Sequence, residues 1–160
     1  PVFYPSSYAD DYSKYLITSG DIVMTLTGTV GKRDYGYAVR ISQAQKKLLL
    51  NQRILKLSIN NKSKLNEEYF LYFLRSIDFL NELYLTANGT RQANLSSDTI
   101  KGLSIPLCDI HEQEEIVSKL MSVQQSTDLY ISAQTRKIEH LKTLKSSLLA
   151  AEITNLSEAA

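Results

Sequence analysis

A short polar segment in the second half of the chain carries side chains that could read nucleic-acid bases. Its sequence is GTRQAN, at residues 89–94. Arginine can pair bidentately with guanine, glutamine or asparagine can pair in the same way with adenine, and threonine can contact a phosphate or a thymine methyl group. The segment therefore predicts DNA contacts by Thr90, Arg91, Gln92 and Asn94. An ordinary polar turn, in which the glycine only reverses the chain, would have the same composition.

A glycine-rich segment, TGTVGK at residues 27–32, superficially resembles a phosphate-binding loop. Such a loop needs four residues between its glycines and Ser or Thr directly after the lysine. Here two residues separate Gly28 from Gly31, and Arg33 follows Lys32. Nucleotide hydrolysis is therefore disfavoured. Two interpretations stay open, a tight loop that presents Lys32 and Arg33 to a DNA phosphate or a purely structural turn.

Basic residues are concentrated in the first two thirds of the chain. Residues 1–108 contain 13 basic and 9 acidic side chains, whereas residues 109–160 contain 5 and 8. Residues 32–56 hold seven of the cations and a single acid, Asp34. Such a cluster suits a polyanion, although solvated surface charges would give the same count. Arg53 is a further candidate DNA contact, but residues 51–53 could instead hold a sheet edge.

The residues needed for catalysis or metal binding are sparse. The chain has one cysteine, Cys108, and two histidines, His111 and His140, which lie about eight helical turns apart in a predicted helix. Neither an activated nucleophile nor a zinc ligand set can be built from these residues, so we predict no enzyme activity, no metal and no cofactor. A lone cysteine also excludes an internal disulfide and favours the cytoplasm.

The surrounding patterns predict an α+β domain, in which a small mixed β-sheet is packed by helices. Residues 22–27, 35–41 and 55–59 have strand-like composition or alternation, and residues 66–84 have apolar residues at helical spacing after an Asn cap. A short helix is predicted at residues 95–100 and a last strand at 103–107. The domain is predicted to end at Cys108.

From Asp109 onward the spacing predicts one long helix of about 40 residues and roughly 60 Å, with a tail that frays from Ile153. Apolar residues recur at alternating steps of four and three, as in a coiled coil, if Thr127, Gln134 and Lys137 fill the intervening positions of the seam. Ile131 and Ile138 suggest that the seam shifts to a neighbouring stripe in the middle. A helix so exposed must pair with another helix. The predicted dimer and partner surface consists of Ile116, Leu120, Val123, Tyr130, Leu141, Leu144 and Leu148.

Taken in order, several segments resemble the target recognition domain and following helix of the specificity subunit of type I restriction-modification systems. They are GDIVMT with TGTVGK, then NQRILKL, GTRQANLS, IPL and EQEEIV, and they extend over residues 20–117. The resemblance as a whole covers about residues 20–150. It implies that residues 1–108 read one half of a bipartite DNA site and that residues 109–160 set the distance to the other half.

The resemblance also implies partners and a second copy. Family members carry two recognition domains and two antiparallel helices, and they bind modification subunits, which transfer methyl groups from S-adenosylmethionine, and restriction subunits. This chain has one copy and lacks the usual early strands, so it is a fragment or a half-size subunit that forms a homodimer. A truncated or decoy subunit that acts only as a helical scaffold is the alternative.

Overall fold

The computed structural model of the chain describes residues 4–43, 47–87 and 92–158, and the side chains of these residues except residues 92 and 154–158. Thr90 and Arg91 therefore lie outside the described residues. The chain forms two units, residues 1–117 and residues 118–160. The first unit contains all the strands described and most of the helices.

The strands form three small antiparallel sheets. The central sheet has the order β4-β2-β6, with β2 (Ile22–Thr25) between β4 (Ala38–Arg40) and β6 (Ile54–Leu57). A second pairing joins β1 (Leu16–Ile17) to β5 (Leu48–Leu49), and a third joins β3 (Thr27–Thr29) to β7 (Gln92–Asn94). A short helix, α1 (Tyr8–Asp11), and a 3-10 helix (Ser13–Tyr15) precede β1.

Three helices cover the sheets, namely α2 (Glu67–Leu74), α3 (Ile77–Leu85) and α4 (Ser97–Lys101). Asn66 caps α2, since its side-chain oxygen accepts hydrogen bonds from Glu68 N at 2.9 Å and Tyr69 N at 3.1 Å. Met24 of β2 and Leu83 of α3 are fully buried in the shared core. The predicted α+β class is confirmed.

The sequence predicts one amphipathic helix over residues 66–84, but the structure has two. The hydroxyl of Ser76 accepts a hydrogen bond from Phe79 N at 3.2 Å, so Ser76 caps a new helix. Because α3 is a separate helix, the positions that face the core in it do not continue the pattern of α2. Consequently Ile77, which the single-helix pattern turns towards the core, is 65% exposed, whereas Phe79 and Leu83 are buried.

The strand predictions are wrong in detail. The predicted strand at 22–27 is divided between β2 and β3, and the one at 55–59 is Ile54–Leu57. Residues 103–107 form no strand, and β4 spans only Ala38–Arg40 of the predicted 35–41. Within β4 the small residue is the buried one, because Ala38 is 1% exposed and Val39 is 44% exposed. Ala38 belongs to the core cluster with residues of α2 and α3, and the Nε of Arg75, which follows α2, donates a hydrogen bond to its carbonyl oxygen at 2.9 Å.

The long helix α5 spans Ile110–Glu158, and its predicted cap is present. The carboxylate of Asp109 accepts hydrogen bonds from His111 N at 2.9 Å and Glu112 N at 3.0 Å. The backbone is helical to Glu158, while fraying of the tail stays a prediction. No helix in the described part of the chain combines the length and apolarity needed to cross a membrane.

Candidate nucleic-acid interface

The pairing of β3 with β7 brings together two segments that the sequence separates by more than sixty residues. The strands are antiparallel, so the turn that follows β3 lies at the end where β7 begins. Lys32 and Arg33 follow β3, and Gln92 is the first residue of β7. The register pairs Thr27 with Asn94, Gly28 with Ala93 and Thr29 with Gln92. Candidate phosphate contacts and candidate base contacts therefore belong to one two-stranded ribbon.

A tight turn follows β3 and leaves Lys32 exposed. The Lys32 backbone N–H donates a hydrogen bond to the carbonyl oxygen of Thr29 at 3.0 Å. Gly31, the third residue of this turn, has φ of 79°, which only glycine adopts readily. The segment TGTVGK is thus a structural turn that also presents a cation, and the two sequence interpretations are compatible.

The side chain of Asp34 stabilises this turn by binding Thr29, its first residue. Its carboxylate accepts a hydrogen bond from Thr29 N at 2.8 Å and another from the Thr29 hydroxyl at 3.0 Å. These hydrogen bonds, the backbone one foremost, lower the pKa of Asp34 below its usual value, with the charge of Lys32 acting in the same direction. The one acid in the cation-rich segment therefore positions the turn.

The stability of the chain should depend on pH through Asp34. Because the folded-state pKa is lower than the unfolded one, the stabilising contribution is complete above the unfolded value of about 4 and is lost as pH falls through the folded pKa. We expect Asp34→Asn to lower the urea midpoint at pH 7 and the difference from the original chain to shrink as the solution is acidified through that range. A difference that stays constant with pH would contradict this role.

Gly28 lies where the ribbon meets the core. A Cβ atom at this position would overlap the carboxylate of Asp34 and the ring of Tyr35, which is 5% exposed. The register sets Gly28 opposite Ala93, which is 1% exposed. Two small residues therefore let the inner side of the ribbon pack closely against the core. The need for small residues here cannot be inferred from either segment alone, because it arises from the pairing of the two strands.

Gly28→Ala should destabilise the chain by about 1–3 kcal/mol, because the added methyl group must displace the Asp34 carboxylate or the buried Tyr35 ring. Urea denaturation measures this loss. Gly102→Ala is the matched control, since Gly102 has φ of −80° and a Cβ there would make contacts of 3.4 Å or longer. We expect the control to change stability by less than about 0.5 kcal/mol. Equal losses in both variants would refute the close approach.

Arg33 is exposed and is also tied to the fold. The carbon atom of its guanidinium group lies 5.2 Å from the centre of the Tyr84 ring, a cation–π geometry. Burial raises the pKa of Tyr84, whose hydroxyl donates a hydrogen bond to the carbonyl oxygen of Tyr35 at 3.1 Å. A guanidinium that contacts an aromatic ring in this way can still donate N–H groups to a phosphate.

Arg53 lies at the other end of the ribbon. Its carbonyl oxygen accepts a hydrogen bond from Leu26 N at 2.8 Å, and Leu26, which precedes β3, accepts one from Leu95 N at 2.9 Å. Arg53 therefore neighbours the end of β7 that contains the exposed Asn94. Asn51 holds this turn, since its side chain accepts a hydrogen bond from Arg53 N at 2.9 Å. Residues 51–53 thus do serve the sheet edge.

Three other members of the cation-rich segment are paired with acids. Arg40 contacts Glu68 at 2.7 Å, and Lys47 contacts Asp10 at 3.7 Å. Lys56 contacts Asp21 at 2.6 Å. In the described part of the chain, Lys32, Arg33 and Arg53 are in no ion pair. Within the described part of the cation-rich segment, the cations outside ion pairs therefore lie at the two ends of the ribbon.

The described residues contain no group of three or more His, Cys, Asp or Glu side chains placed to hold a metal ion. Comparison with known proteins then identifies the family of the chain. A family model described as the type I restriction modification DNA specificity domain matches residues 3–140. The chain belongs to this family. The resemblance inferred from the ordered motifs is thereby confirmed.

Two relatives of the specificity domain come from Methanocaldococcus jannaschii. The type I restriction enzyme MjaVIII specificity subunit is 26% identical over 149 residues, which cover 92% of this chain and 33% of the relative. A second relative, whose name refers to the MjaX specificity subunit, is 28% identical over 141 residues, covering 88% of this chain and 32% of the relative. The chain spans about a third of the length of these curated relatives.

A solved structure shares the fold of the specificity domain. The crystal structure of the type I restriction-modification system S subunit from M. genitalium superposes with a TM-score of 0.55 at 20% identity. The superposition covers 71% of this chain and 28% of that one. It supports the fold, small antiparallel sheets with a long C-terminal helix.

The helix α5 of the specificity domain carries an exposed apolar stripe along the predicted seam. Ile116 is half-buried, and the other six seam residues are 40–66% exposed, namely Leu120, Val123, Tyr130, Leu141, Leu144 and Leu148. Ile131 and Ile138, beside the seam, are 55% and 53% exposed. Exposure therefore does not distinguish the seam from its neighbouring stripe, and coiled-coil pairing stays a prediction.

Sequence reasoning missed several residues of the candidate interface. It treated residues 89–94 as a loop, whereas residues 92–94 form β7, and it assigned no role to Asp34, Gly28 or Tyr84. Asp34 had a signal, since it is the only acid among seven cations. The strand character of QAN had none, because three polar or small residues show no alternation that a pattern could detect.

Proposed function

We propose that this chain recognises the sequence of one half of a bipartite DNA site as the specificity component of a type I restriction-modification system in the cytoplasm. The observation that carries the proposal is the pairing of β3 with β7, which joins the Lys32 turn to a strand that contains Gln92 and Asn94. The major groove of B-DNA, about 12 Å wide, admits a two-stranded β-ribbon.

In this proposal the two kinds of side chain on the ribbon have different roles. Lys32, Arg33 and Arg53 hold phosphates, which fixes the register of the protein on the duplex but carries no sequence information. Gln92 and Asn94 occupy alternate positions of β7, opposite the positions of Thr29 and Thr27. These two, with Thr90 and Arg91, which precede β7, read base edges.

The stripe on α5 supports a second part of the proposal, a paired helix. An isolated helix that exposes apolar residues along most of its length gains stability by burying them against a similar helix. We propose a homodimer with antiparallel α5 helices, which sets two identical ribbons at a fixed separation and reads a palindromic site. Modification and restriction subunits dock on this helical pair and supply methyl transfer and DNA cleavage, while the chain itself catalyses neither.

The proposal is tested by light scattering of the purified chain, followed by selection from a DNA library with two variable half-sites and a variable spacer. A mass of twice 18.1 kDa and enrichment of a two-part site are expected. A monomer that enriches one half-site would contradict the dimer and leave recognition intact. A chain that enriches no sequence at any salt concentration would overturn the recognition function.

The second candidate function is a helical scaffold that binds only proteins. The exposed apolar stripe on α5 supports it, and the ribbon would have no role in it. Salt dependence together with sequence preference separates the two functions. Contacts to phosphates release counterions, so the affinity of a DNA-reading chain falls steeply as salt increases. A scaffold would form the helical dimer and show no DNA binding beyond the non-specific range of about 10⁻⁴–10⁻⁶ M.

A further inference from the structure

Gln113, in the first turn of α5, is the one buried polar side chain among the described residues, with an exposed fraction of 0%. It lies in the first unit, together with Val117, which is one turn further along the helix and 8% exposed. Residues four apart lie on the same helix face. The beginning of α5 is therefore held by a face that combines one amide and one apolar side chain.

The amide of Gln113 joins three separate places in the backbone. Its Oε1 accepts a hydrogen bond from Asn66 N at 2.8 Å, next to the start of α2. Its Nε2 donates one hydrogen bond to the carbonyl oxygen of Lys64 at 2.9 Å and another to that of Cys108 at 2.8 Å. Both N–H groups are used, so the amide is matched to this site in donors as well as in shape.

We propose that Gln113 is a positioning residue that fixes the first turns of α5 to the recognition domain and thereby defines the spacer between two half-sites. This inference rests on the proposed function, in which α5 sets the spacer. Hydrogen bonds define direction as well as distance, whereas an apolar contact such as that of Val117 tolerates rotation and sliding. A buried amide whose three hydrogen bonds join the start of α5 to separate backbone segments is what the role requires.

A glutamate cannot replace this glutamine. With the carboxylate in the same place, an oxygen would face the carbonyl oxygens of Lys64 and Cys108, and two attractive contacts would become repulsive. A methionine has similar length and helix propensity but leaves all three backbone groups without a partner. Gln113→Glu and Gln113→Met therefore disrupt the joint in different ways. Gln125→Glu makes the same charge change at an exposed position of α5 and serves as the control.

Amide hydrogen exchange and DNA selection test the proposal on the whole chain. In both Gln113 variants we expect the Asn66 amide and the amides of residues 113–117 to exchange about tenfold faster, while exchange at residues 125–150 is unchanged. In the two-half-site selection, the enriched spacer should broaden from one length to several. The half-site sequence and the Kd for a single half-site, within about twofold, should stay the same. The control should match the original chain in every measurement.

The outcomes separate this inference from the function on which it rests. If the original chain selects no DNA sequence, the proposed function fails, and the exchange data still decide whether the joint exists. A spacer that stays at one length in both variants, despite faster exchange, overturns the positioning role. If both variants lose the near-ultraviolet circular dichroism of the folded domain, Gln113 is a core group only, and the proposal is again overturned.

Discussion

Replacing Arg91 with alanine is expected to relax the sequence preference of the chain at one base pair, while binding to non-specific DNA changes little. Arg91 lies outside the described residues but immediately precedes β7, whose first residue pairs with Thr29 at the end of the Lys32 turn. A bidentate contact between arginine and guanine is worth about 1–3 kcal/mol of discrimination. Affinity for the preferred site should therefore fall roughly 5- to 150-fold, and a selection should recover mixed bases at one position.

Lys32→Ala is the informative contrast, because it removes one positive charge from the same end of the ribbon. A phosphate contact carries no sequence information, so affinity should fall for all sequences alike, and the slope of log Kd against log salt should decrease by about 1. Arg136→Ala, at an exposed position of α5, controls for the loss of charge and should change neither quantity. If Arg91→Ala weakened binding uniformly and left the preference unaltered, its assignment to a base would be wrong.

The sequence predicts the local features of this fold well, because each depends on a few adjacent residues. Asn66 and Asp109 are predicted as helix caps, and both side chains accept backbone hydrogen bonds in the structure. The alternation at residues 55–59 correctly indicates a strand, although β6 spans Ile54–Leu57 and ends before Ile59. Ser76 is also a residue that can cap a helix, but the continuous apolar spacing on both sides of it favours a single helix. In the structure Ser76 accepts a hydrogen bond from Phe79 N and begins the separate helix α3, in which different residues are buried.

The candidate interface could not be predicted in the same way, although most of its residues were named. Residue chemistry identifies the segments around Lys32 and Gln92 separately. Their proximity depends on pairing between two three-residue strands far apart in the chain, and such short strands carry no periodicity. The inner contact is made by Gly28 and Ala93, whose small size is informative only when they are known to be opposite each other. Non-local packing, which one sequence does not display, therefore assembles the site.

Lengthening α5 is expected to change the spacer of the DNA site and to leave the half-site sequence unaltered. A duplication of residues 141–147 adds seven residues, or two turns, and repeats Leu141 and Leu144, so the apolar seam continues in register. Seven residues at 1.5 Å each add about 10 Å. In an antiparallel pair, this moves the two ribbons apart by the same distance, which corresponds to about three base pairs at 3.4 Å each.

A shorter duplication separates helix length from seam register. Repeating residues 144–147 adds four residues and rotates the seam beyond the insertion by roughly 50° relative to a seven-residue repeat, so the apolar stripes no longer face each other along the whole pair. Light scattering should then show a weaker dimer, whereas the seven-residue duplication should leave dimer mass and affinity intact. Selection of DNA sites by the longer variant decides the matter. An unchanged spacer would show that α5 does not set the separation, and changed half-sites would show that it takes part in reading the bases.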